Sequence, residues 1–519
     1  MDKKKSLLNV FTAIFFKIVI LALSLVVRRF LIKYIGNDIN GLNSLYLSIV
    51  GFLSVADLGI GTAIAFCMYK PIVDNDVKRV TGLYNLLRKV YLIIGLIVFV
   101  LGIILIPFIK YFAKDYSEIN VNLHFTFFLM LISVVITYLF SSKITLFNAY
   151  KNNYIATAIN SLGMILQLVL QIVFILTTKS FTFYLISRII AALFQWGLTE
   201  IITRKQYYHI ISTKNVVNKE DKQSIIKSVK AMFMHKIGGV LGITLDNIII
   251  SSFIGVVILG KYSNYTIIIT AITNIIFLFF TPLTSIIGHL FAEQKLDELK
   301  KYYNFLYVFN FILAIVFYIG YYAVIDDLIY ICFGDGLLLN KYVSFVLASN
   351  YFVYFLRQTT EMFKDASGVF YYDRWKPLFE GTFNAVLSII LVVVLKKYYG
   401  DEIAVIGAVA ATILANLTIC HIVEPHVVHK YGLKMSAKKY YLKNYCCIIV
   451  FFISISLFNI FKLNIDNHYL SFLANGCLSL VFSIIPSIII GFVDKDFRFY
   501  FKKIVNKIAR KIIKNKIKT

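Results

Sequence analysis

Long apolar stretches, separated by short groups of charged, glycine and proline residues, recur along the whole chain. About 14 windows of roughly 20 residues can be distinguished, and an α-helix of that length crosses the hydrocarbon core of a bilayer. The pattern therefore predicts an all-α polytopic membrane protein with about 14 transmembrane helices, in the windows 8–34, 40–67, 84–109, 121–147, 154–176, 181–203, 230–254, 262–290, 302–324, 341–363, 376–395, 403–424, 441–461 and 469–493.

The first window follows the basic residues Lys3, Lys4 and Lys5, as the apolar core of a signal peptide does. It continues to about Ile35 without a small-residue cleavage site, so we expect a retained first helix.

Composition excludes a soluble multidomain protein of this length. Hydrophobic residues make up 59% of the 519 residues and charged residues 15%, whereas charged residues are about 25% of an average soluble chain. The net charge of +26 would suggest nucleic acid as the partner of a soluble protein. In a membrane protein it indicates cytoplasmic loops beside anionic lipids, and we expect no nucleic acid partner. The six cysteines form no CxxC pair and are interpreted as small apolar residues, not as metal ligands.

The basic residues predict the orientation. With a cytoplasmic N-terminus, roughly 38 of them fall in cytoplasmic segments and roughly 9 outside, as the positive-inside rule requires. Both termini are therefore expected on the cytoplasmic side of the plasma membrane. The basic tail should form an amphipathic helix on anionic lipid.

An internal repeat appears at an offset of 219 residues. It pairs Gly36 with Gly255, Gly41 with Gly260 and Ser44 with Ser263. The offset equates helix 1 with helix 7, which predicts two pseudo-symmetric six-helix lobes followed by two further helices, and transporters place substrate between such repeats. The predicted domains are the N-lobe 1–203, a basic cytoplasmic loop 204–229, the C-lobe 230–424, helices 441–493 and the tail 494–519.

Charged groups in hydrocarbon cost about 3 kcal/mol or more each, so those inside the predicted helices should face a cavity or a partner. Helix 1 carries Lys17 and Arg28 on one face, with Arg29 beside it. These basic residues and the candidate acids are Lys17, Arg28, Arg29, Arg188, Lys236, Arg357, Asp57, Asp246, Glu361 and Glu424.

The doublet Arg28–Arg29 lies deep in helix 1, and a single Asp cannot satisfy two guanidinium groups. Because arginine binds phosphate in a bidentate manner, we expect an anion site there. Simpler alternatives stay open: Asp57 can pair with one of these arginines, and Lys17 can extend to the membrane surface. Elsewhere, Arg357 and Glu361 can form a structural ion pair, and Glu424, at a helix end, should be solvated.

Short motifs carry a family resemblance. Arg28–Arg29 is followed by Tyr34-Ile35-Gly36, Asn40-Gly41-Leu42 and Asp57-Leu58-Gly59, and later come Leu245-Asp246-Asn247 and Gly260-Lys261-Tyr262-Ser263. Together they resemble bacterial polysaccharide and oligosaccharide flippases of the multidrug/oligosaccharidyl-lipid/polysaccharide exporter superfamily. The resemblance implies export of a polyprenyl-pyrophosphate-linked glycan, with a basic central cavity at Arg28, Arg29, Lys17 and Arg188.

The function predicted is a flippase that moves a lipid-linked oligosaccharide to the outer leaflet by alternating access, for cell-surface polysaccharide synthesis. Lys236 and Asn247 complete the expected substrate site, and Asp246, Asp57 and Glu361 are the candidates for coupling to H⁺ or Na⁺. We expect no catalytic residue, cofactor or bound metal. Partners are the lipid-linked substrate and anionic lipids, with a polysaccharide polymerase and glycosyltransferases as further candidates.

Two alternatives stay open. One is a cation-coupled drug or small-molecule exporter of the same fold, which would favour acidic residues on helix 1. The other is a membrane glycan polymerase, which needs a sizeable outer loop with catalytic groups, whereas the outer connections here look short. The best candidate for that loop is about 325–340, with Asp326, Asp327 and Asp335.

Overall fold

A computed structural model describes residues 3–54, 60–116, 119–213, 215–218, 221–223, 225 and 244–516. Helices connected by short turns make up this part of the chain, and it contains no strand. The chain divides into two compact units, Met1–Ser263 and Asn264–Thr519. The lobe boundaries predicted from the sequence, with a second lobe from residue 230, stay a prediction.

The first unit contains nine helices among its described residues and the start of a tenth. They are α1 (Lys3–Tyr34), α2 (Asn37–Leu53), α3 (Ile60–Val73), α4 (Val77–Leu105), α5 (Ile109–Phe112), α6 (Leu123–Ala149), α7 (Asn153–Thr178), α8 (Phe181–Ile211), α9 (Thr244–Ile254) and, as far as Ser263, α10 (Val256–Ala292).

The second unit continues α10 and ends in a basic helix. Its other helices are α11 (Leu296–Phe333), α12 (Lys341–Leu356), α13 (Gln358–Ser367), α14 (Lys376–Tyr399), α15 (Asp401–Ala415), α16 (His421–Val427), α17 (Lys438–Phe461), α18 (His468–Val493) and α19 (Lys495–Lys516). The π-helical turn Asn416–Cys420 joins α15 to α16, and a second such turn, Val428–Gly432, extends α16, so that one continuous segment ends at Gly432.

Ten helices in the described part of the chain are long and apolar enough to cross a membrane, and each coincides with one of the predicted windows. The other four windows correspond to the following parts of the structure. The first window, 8–34, lies within the 32-residue helix α1. The second is divided into α2 and α3 around the undescribed residues 55–59, and the window 230–254 is described only from residue 244. The window 341–363 contains two shorter helices that meet at Arg357. The chain is thus an all-α multi-pass membrane protein.

Helix α4 shows how the sequence pattern becomes packing. Leu87, Tyr91, Ile94 and Val98 recur at helical spacing and are buried. The side chains between them stay exposed in the isolated chain and form an apolar outer face, namely Leu92, Ile93, Leu96, Ile97 and Val100. An apolar face of this kind suits contact with lipid, because lipid tails are as apolar as the interior of a protein.

The predicted outer loop 325–340 is wrong, because α11 continues through Phe333. Asp326 accepts hydrogen bonds from the hydroxyls of Tyr265 and Ser344 at 3.2 and 2.8 Å. Asp327 accepts one from Ser471 Oγ at 2.7 Å and contacts His468 Nδ1 at 2.7 Å. These two carboxylates therefore join helices to each other.

Helix α18 packs along α11 through a row of small and polar residues spaced by four. Contacts run in opposite chain directions: Ser471 bonds Asp327, and a methyl group added at Gly476 would lie 3.4 Å from Val324. Spacing by four follows one ridge of the helix surface, and small side chains let two backbones approach closely. The buried row is Ser471, Asn475, Ser479, Ser483, Ser487 and Gly491.

Candidate anion-binding site

Two glycines break the helices at equivalent places in the first unit. Gly36 separates α1 from α2 with φ 140° and ψ 158°, and Gly255 separates α9 from α10 with φ 149° and ψ 161°. Each glycine N–H donates to the carbonyl five residues earlier, Leu31 and Ile250, at 3.0 Å. The 219-residue offset relates these two pairs, and the φ values explain why glycine stands at both positions.

Helix α2 crosses the start of α10 at the next matched glycine pair. A side chain at Gly41 would overlap the carbonyl oxygen of Val256, and one at Gly260 would overlap the carbonyl oxygen of Asn37. The offset relates Asn37 to Val256 as it relates Gly41 to Gly260. The crossing is therefore symmetric, because a glycine of each repeat packs directly against the backbone of the other repeat.

Arg28 extends from α1 to this crossing. Its Nη1 donates to Ser263 Oγ at 3.1 Å. Asn40 Nδ2 reaches the same hydroxyl at 3.3 Å and the carbonyl of Gly260 at 3.0 Å. The guanidinium is thus half-buried among an amide, a hydroxyl and backbone carbonyls.

Arg188, on α8, approaches the same face of α2. Its Nη2 lies 3.5 Å from Asn43 Oδ1, and its guanidinium lies 5.9 Å from the ring centre of Tyr184. Asn40 and Asn43 are one turn apart, so they are neighbours on the helix surface. Arg188 Nε is buried and has no hydrogen-bond partner in the described part of the chain. A buried N–H group of this kind can still donate a hydrogen bond to a ligand.

Helix α9 contributes two further predicted residues. Asn247 Nδ2 donates to Ser48 Oγ at 2.9 Å, which attaches α9 to α2. Asp246 is buried, with 7% of its surface exposed. Asn247 thus joins the polar face of α2 that also contacts Arg188, and the role of Asp246 in ion coupling stays a prediction.

The other predicted residues of this region lie elsewhere. Arg29 and Lys17 are exposed, so the doublet divides into one half-buried and one exposed arginine. This division follows from helix geometry, because successive side chains point about 100° apart. Lys236 and Asp57 lie outside the described residues.

In the second unit, Arg357 stands at the centre of a buried ionic cluster. Its Nε and Nη2 form a bidentate pair with Glu424 at 2.9 and 2.7 Å, and Nη2 also contacts Glu361 at 2.8 Å. Lys376 Nζ bonds Glu424 at 2.6 Å and Glu380 at 2.8 Å. Lys364 lies 3.4 Å from Glu424 and also bonds a further carboxylate, Asp373.

The expectation that Glu424 is solvated is wrong, since only 1% of its surface is exposed. Three cations surround its carboxylate, and it is the partner that lets Arg357 and Lys376 be buried. The predicted Arg357–Glu361 pair is present. Glu361 is therefore half-buried against a guanidinium that Glu424 also holds.

Sequence reasoning missed several members of both sites. Ser263 appeared as a repeat match and in a family motif, not as a site residue, although the repeat match was the signal for its place at the crossing. Charged residues inside or beside apolar windows were the available signal for the ionic cluster. Those not singled out as site residues were Glu380, Lys364, Asp373 and Lys376.

Comparison with known proteins identifies the fold. No family model matches the chain, and no curated protein matches it significantly. Solved structures do match.

A multidrug resistance MATE family transporter of the MOP superfamily, in its inward-facing conformation, is similar to this chain with a TM-score of 0.61 and 14% identity, over 80% of this chain and 95% of that one. The lipid II flippase MurJ, in an inward closed conformation, is similar with a TM-score of 0.60 and 15% identity, over 93% of this chain and 98% of that one. An outward-facing MATE transporter gives 0.53 and 13%, over 84% and 98%. The chain has the fold of MOP superfamily transporters.

Proposed function

We propose that this chain, which has the MOP transporter fold, is a flippase that moves a polyprenyl-pyrophosphate-linked oligosaccharide from the inner to the outer leaflet. The observation that carries the proposal is the basic site of the first unit. Arg28, from α1, donates to Ser263 Oγ, a hydroxyl that Asn40 of α2 also bonds. Arg188, from α8, bonds Asn43 of α2. Two guanidinium groups bordered by amides and hydroxyls suit a pyrophosphate with attached sugars.

The contacts of both arginines support an anionic ligand in particular. Both guanidinium groups contact neutral oxygen atoms, Ser263 Oγ and Asn43 Oδ1, and arginine in such polar surroundings suits an anionic ligand. A cation exporter would favour carboxylates here, and α1 carries Lys17, Arg28 and Arg29 instead. MurJ is a lipid II flippase, and its structure is similar to 93% of this chain, which also supports this substrate class.

The test is transport in vesicles with a fluorescent lipid-linked glycan whose sidedness is measured. Substitution of Arg28 or Arg188 by Ala should each slow transport by roughly 10- to 150-fold, because a charge-assisted contact is worth about 1.5–3 kcal/mol. Arg28→Lys should restore part of the rate, since it keeps the charge and loses the planar fork. Arg29→Ala should have a smaller effect, because Arg29 is exposed.

Arg204→Ala is the matched control, because Arg204 lies on the same helix as Arg188. Its side chain is exposed and forms an ion pair with Glu200. Arg28→Ala that transports as fast as Arg204→Ala would reject the site. Recovery of Arg28→Ala by Asp57→Asn would assign Arg28 to a structural ion pair. Efflux of a cationic dye, with no glycan movement, would favour the exporter alternative.

A further inference from the structure

A cavity of about 600 Å³ in the second unit lies where the segment ending at Gly432 passes into α17. Three lysines line it, together with two histidines and a tyrosine: Lys430, Lys434, Lys438, His426, His429 and Tyr441. No carboxylate is among its lining residues, although the ionic cluster around Glu424 lies only a few residues earlier in the chain. The cavity is therefore basic and uncompensated by its own walls.

The backbone adds to this positive charge. Helix α17 begins at the cavity, and Ala437 and Lys438 both line the space. The N-cap Ala437 makes no side-chain capping bond, and the N–H of Lys438 donates to Ser436 Oγ at 3.4 Å. The first N–H groups of a helix lack partners within the helix and carry partial positive charge, so they favour an anion.

A buried histidine borders the cavity. His429 has 1% of its surface exposed, and its Nδ1 lies 2.7 Å from the carbonyl of Pro425, to which it donates. Its Nε2 is buried without a hydrogen-bond partner in the described part of the chain. His429 belongs to the π-helical turn Val428–Gly432, and such turns are frequent at functional sites.

We propose that this cavity binds a phosphate group, as a second anion site independent of the proposed transport site. The loop around it is predicted to be cytoplasmic, so the phosphate can belong to an anionic lipid headgroup or be free in solution. Three lysines and a helix N-terminus offer several donors to one compact anion. A merely topological role for these lysines would need no cavity.

Lys434 allows a clean substitution. Its φ is 51°, a conformation in which glycine is favoured, so Lys434→Gly removes the ammonium group without straining the backbone. The test variant combines Lys434→Gly with Lys438→Gln. Its control combines Lys151→Gly, at φ 61°, with Lys78→Gln near the start of α4; both control lysines are exposed and the charge loss is the same.

The full-length protein in zwitterionic detergent is titrated with inorganic phosphate, followed by thermal stabilisation. In parallel it is titrated with short-chain phosphatidylglycerol or phosphatidylcholine, followed by native mass spectrometry. All variants are compared in an Arg28→Ala background, so that the proposed transport site contributes little to the titration. We expect one saturable anion site in that background and in the control, with affinity weakened about tenfold or more in the cavity variant. Phosphate binding identifies free phosphate as the source, and binding of phosphatidylglycerol alone identifies a headgroup.

Two results would overturn the proposal: no saturable binding of either anion, or equal weakening in the cavity variant and the control. Lys430→Gln alone is a milder second variant in case the double variant unfolds, and it should weaken the same site by a few-fold.

Discussion

At the residue scale, single side chains, or their absence, determine how the two repeats meet. Gly41 and Gly260 permit a crossing of α2 and α10 that any side chain would prevent, because the opposing atoms are backbone carbonyls that cannot move aside. Arg28 then reaches Ser263 across the same crossing. The candidate anion site therefore depends on two residues that have no functional group.

Gly41→Ala should destabilise the protein by about 1–3 kcal/mol or more, because the new methyl group overlaps the carbonyl of Val256. Gly197→Ala is the control, since a methyl group there meets nothing within 4 Å. It should be neutral or slightly stabilising, because alanine favours the helix more than glycine. The measurement is the thermal midpoint in detergent, and equal midpoints for the two variants would contradict the crossing.

Glu424→Gln should be among the most destabilising substitutions in the second unit. It leaves Arg357 and Lys376 buried beside a neutral amide, and removing one partner of a buried pair typically costs about 3–5 kcal/mol. Glu298→Gln, at the exposed start of α11, serves as the control. Adding Lys376→Met should recover part of the loss. A thermal midpoint for Glu424→Gln no lower than that of the control would show that Glu424 does not stabilise the ionic cluster.

At the element scale, α18 packs on α11 through a row of small and polar residues. The row on α18 faces α11, while its large apolar residues, such as Ile485 and Ile489, are exposed on the other side. A soluble protein buries its large apolar residues and exposes its polar ones. In a bilayer the opposite arrangement is stable, because lipid tails are as apolar as leucine and isoleucine and give no advantage to burying them.

Ser479→Leu should therefore destabilise α18 against α11, whereas Cys477→Leu should not. Ser479 is 2% exposed and lies next to Gly320, and Cys477 is exposed on the same helix. Overpacking of this kind costs about 1–3 kcal/mol. Thermal unfolding in detergent compares the two leucine variants, and similar midpoints would show that the row is not a packing surface.

At the scale of the whole molecule, two compact units each carry their own charged centre. The first presents arginines to neutral partners, whereas the second balances three cations against four carboxylates: Arg357, Lys364, Lys376, Glu361, Asp373, Glu380 and Glu424. A cluster of opposite charges suits a structural role, and arginines that bond amide and hydroxyl oxygens suit an anionic ligand.

If the chain is a flippase, purified protein in vesicles should change the sidedness of a lipid-linked glycan and leave its mass unaltered. The physical reason is that alternating access moves the substrate between leaflets without making or breaking a covalent bond. Mass spectrometry of the glycan before and after transport is the measurement, with empty vesicles as the control. A lengthened or cleaved glycan would favour an enzyme.

The sequence alone predicted the helices well, because crossing a bilayer needs about 20 apolar residues and every polar backbone group must bond within its helix. It also predicted the repeat, and the paired glycines Gly36 and Gly255 share one conformation. It failed where a helix was longer than its most apolar part, as at Asp326 and Asp327.

The tertiary structure alone decided which charges meet. Sequence spacing could pair Arg357 with Glu361 because they are one turn apart on a helix. It could not bring Glu424 to Arg357, 67 positions away, or Ser263 to Arg28, 235 positions away. The composition of a helix determines whether it enters the membrane, since each residue contributes separately to that free energy. The partner of a charge depends on how helices pack, and this is determined by contacts between segments distant in the chain.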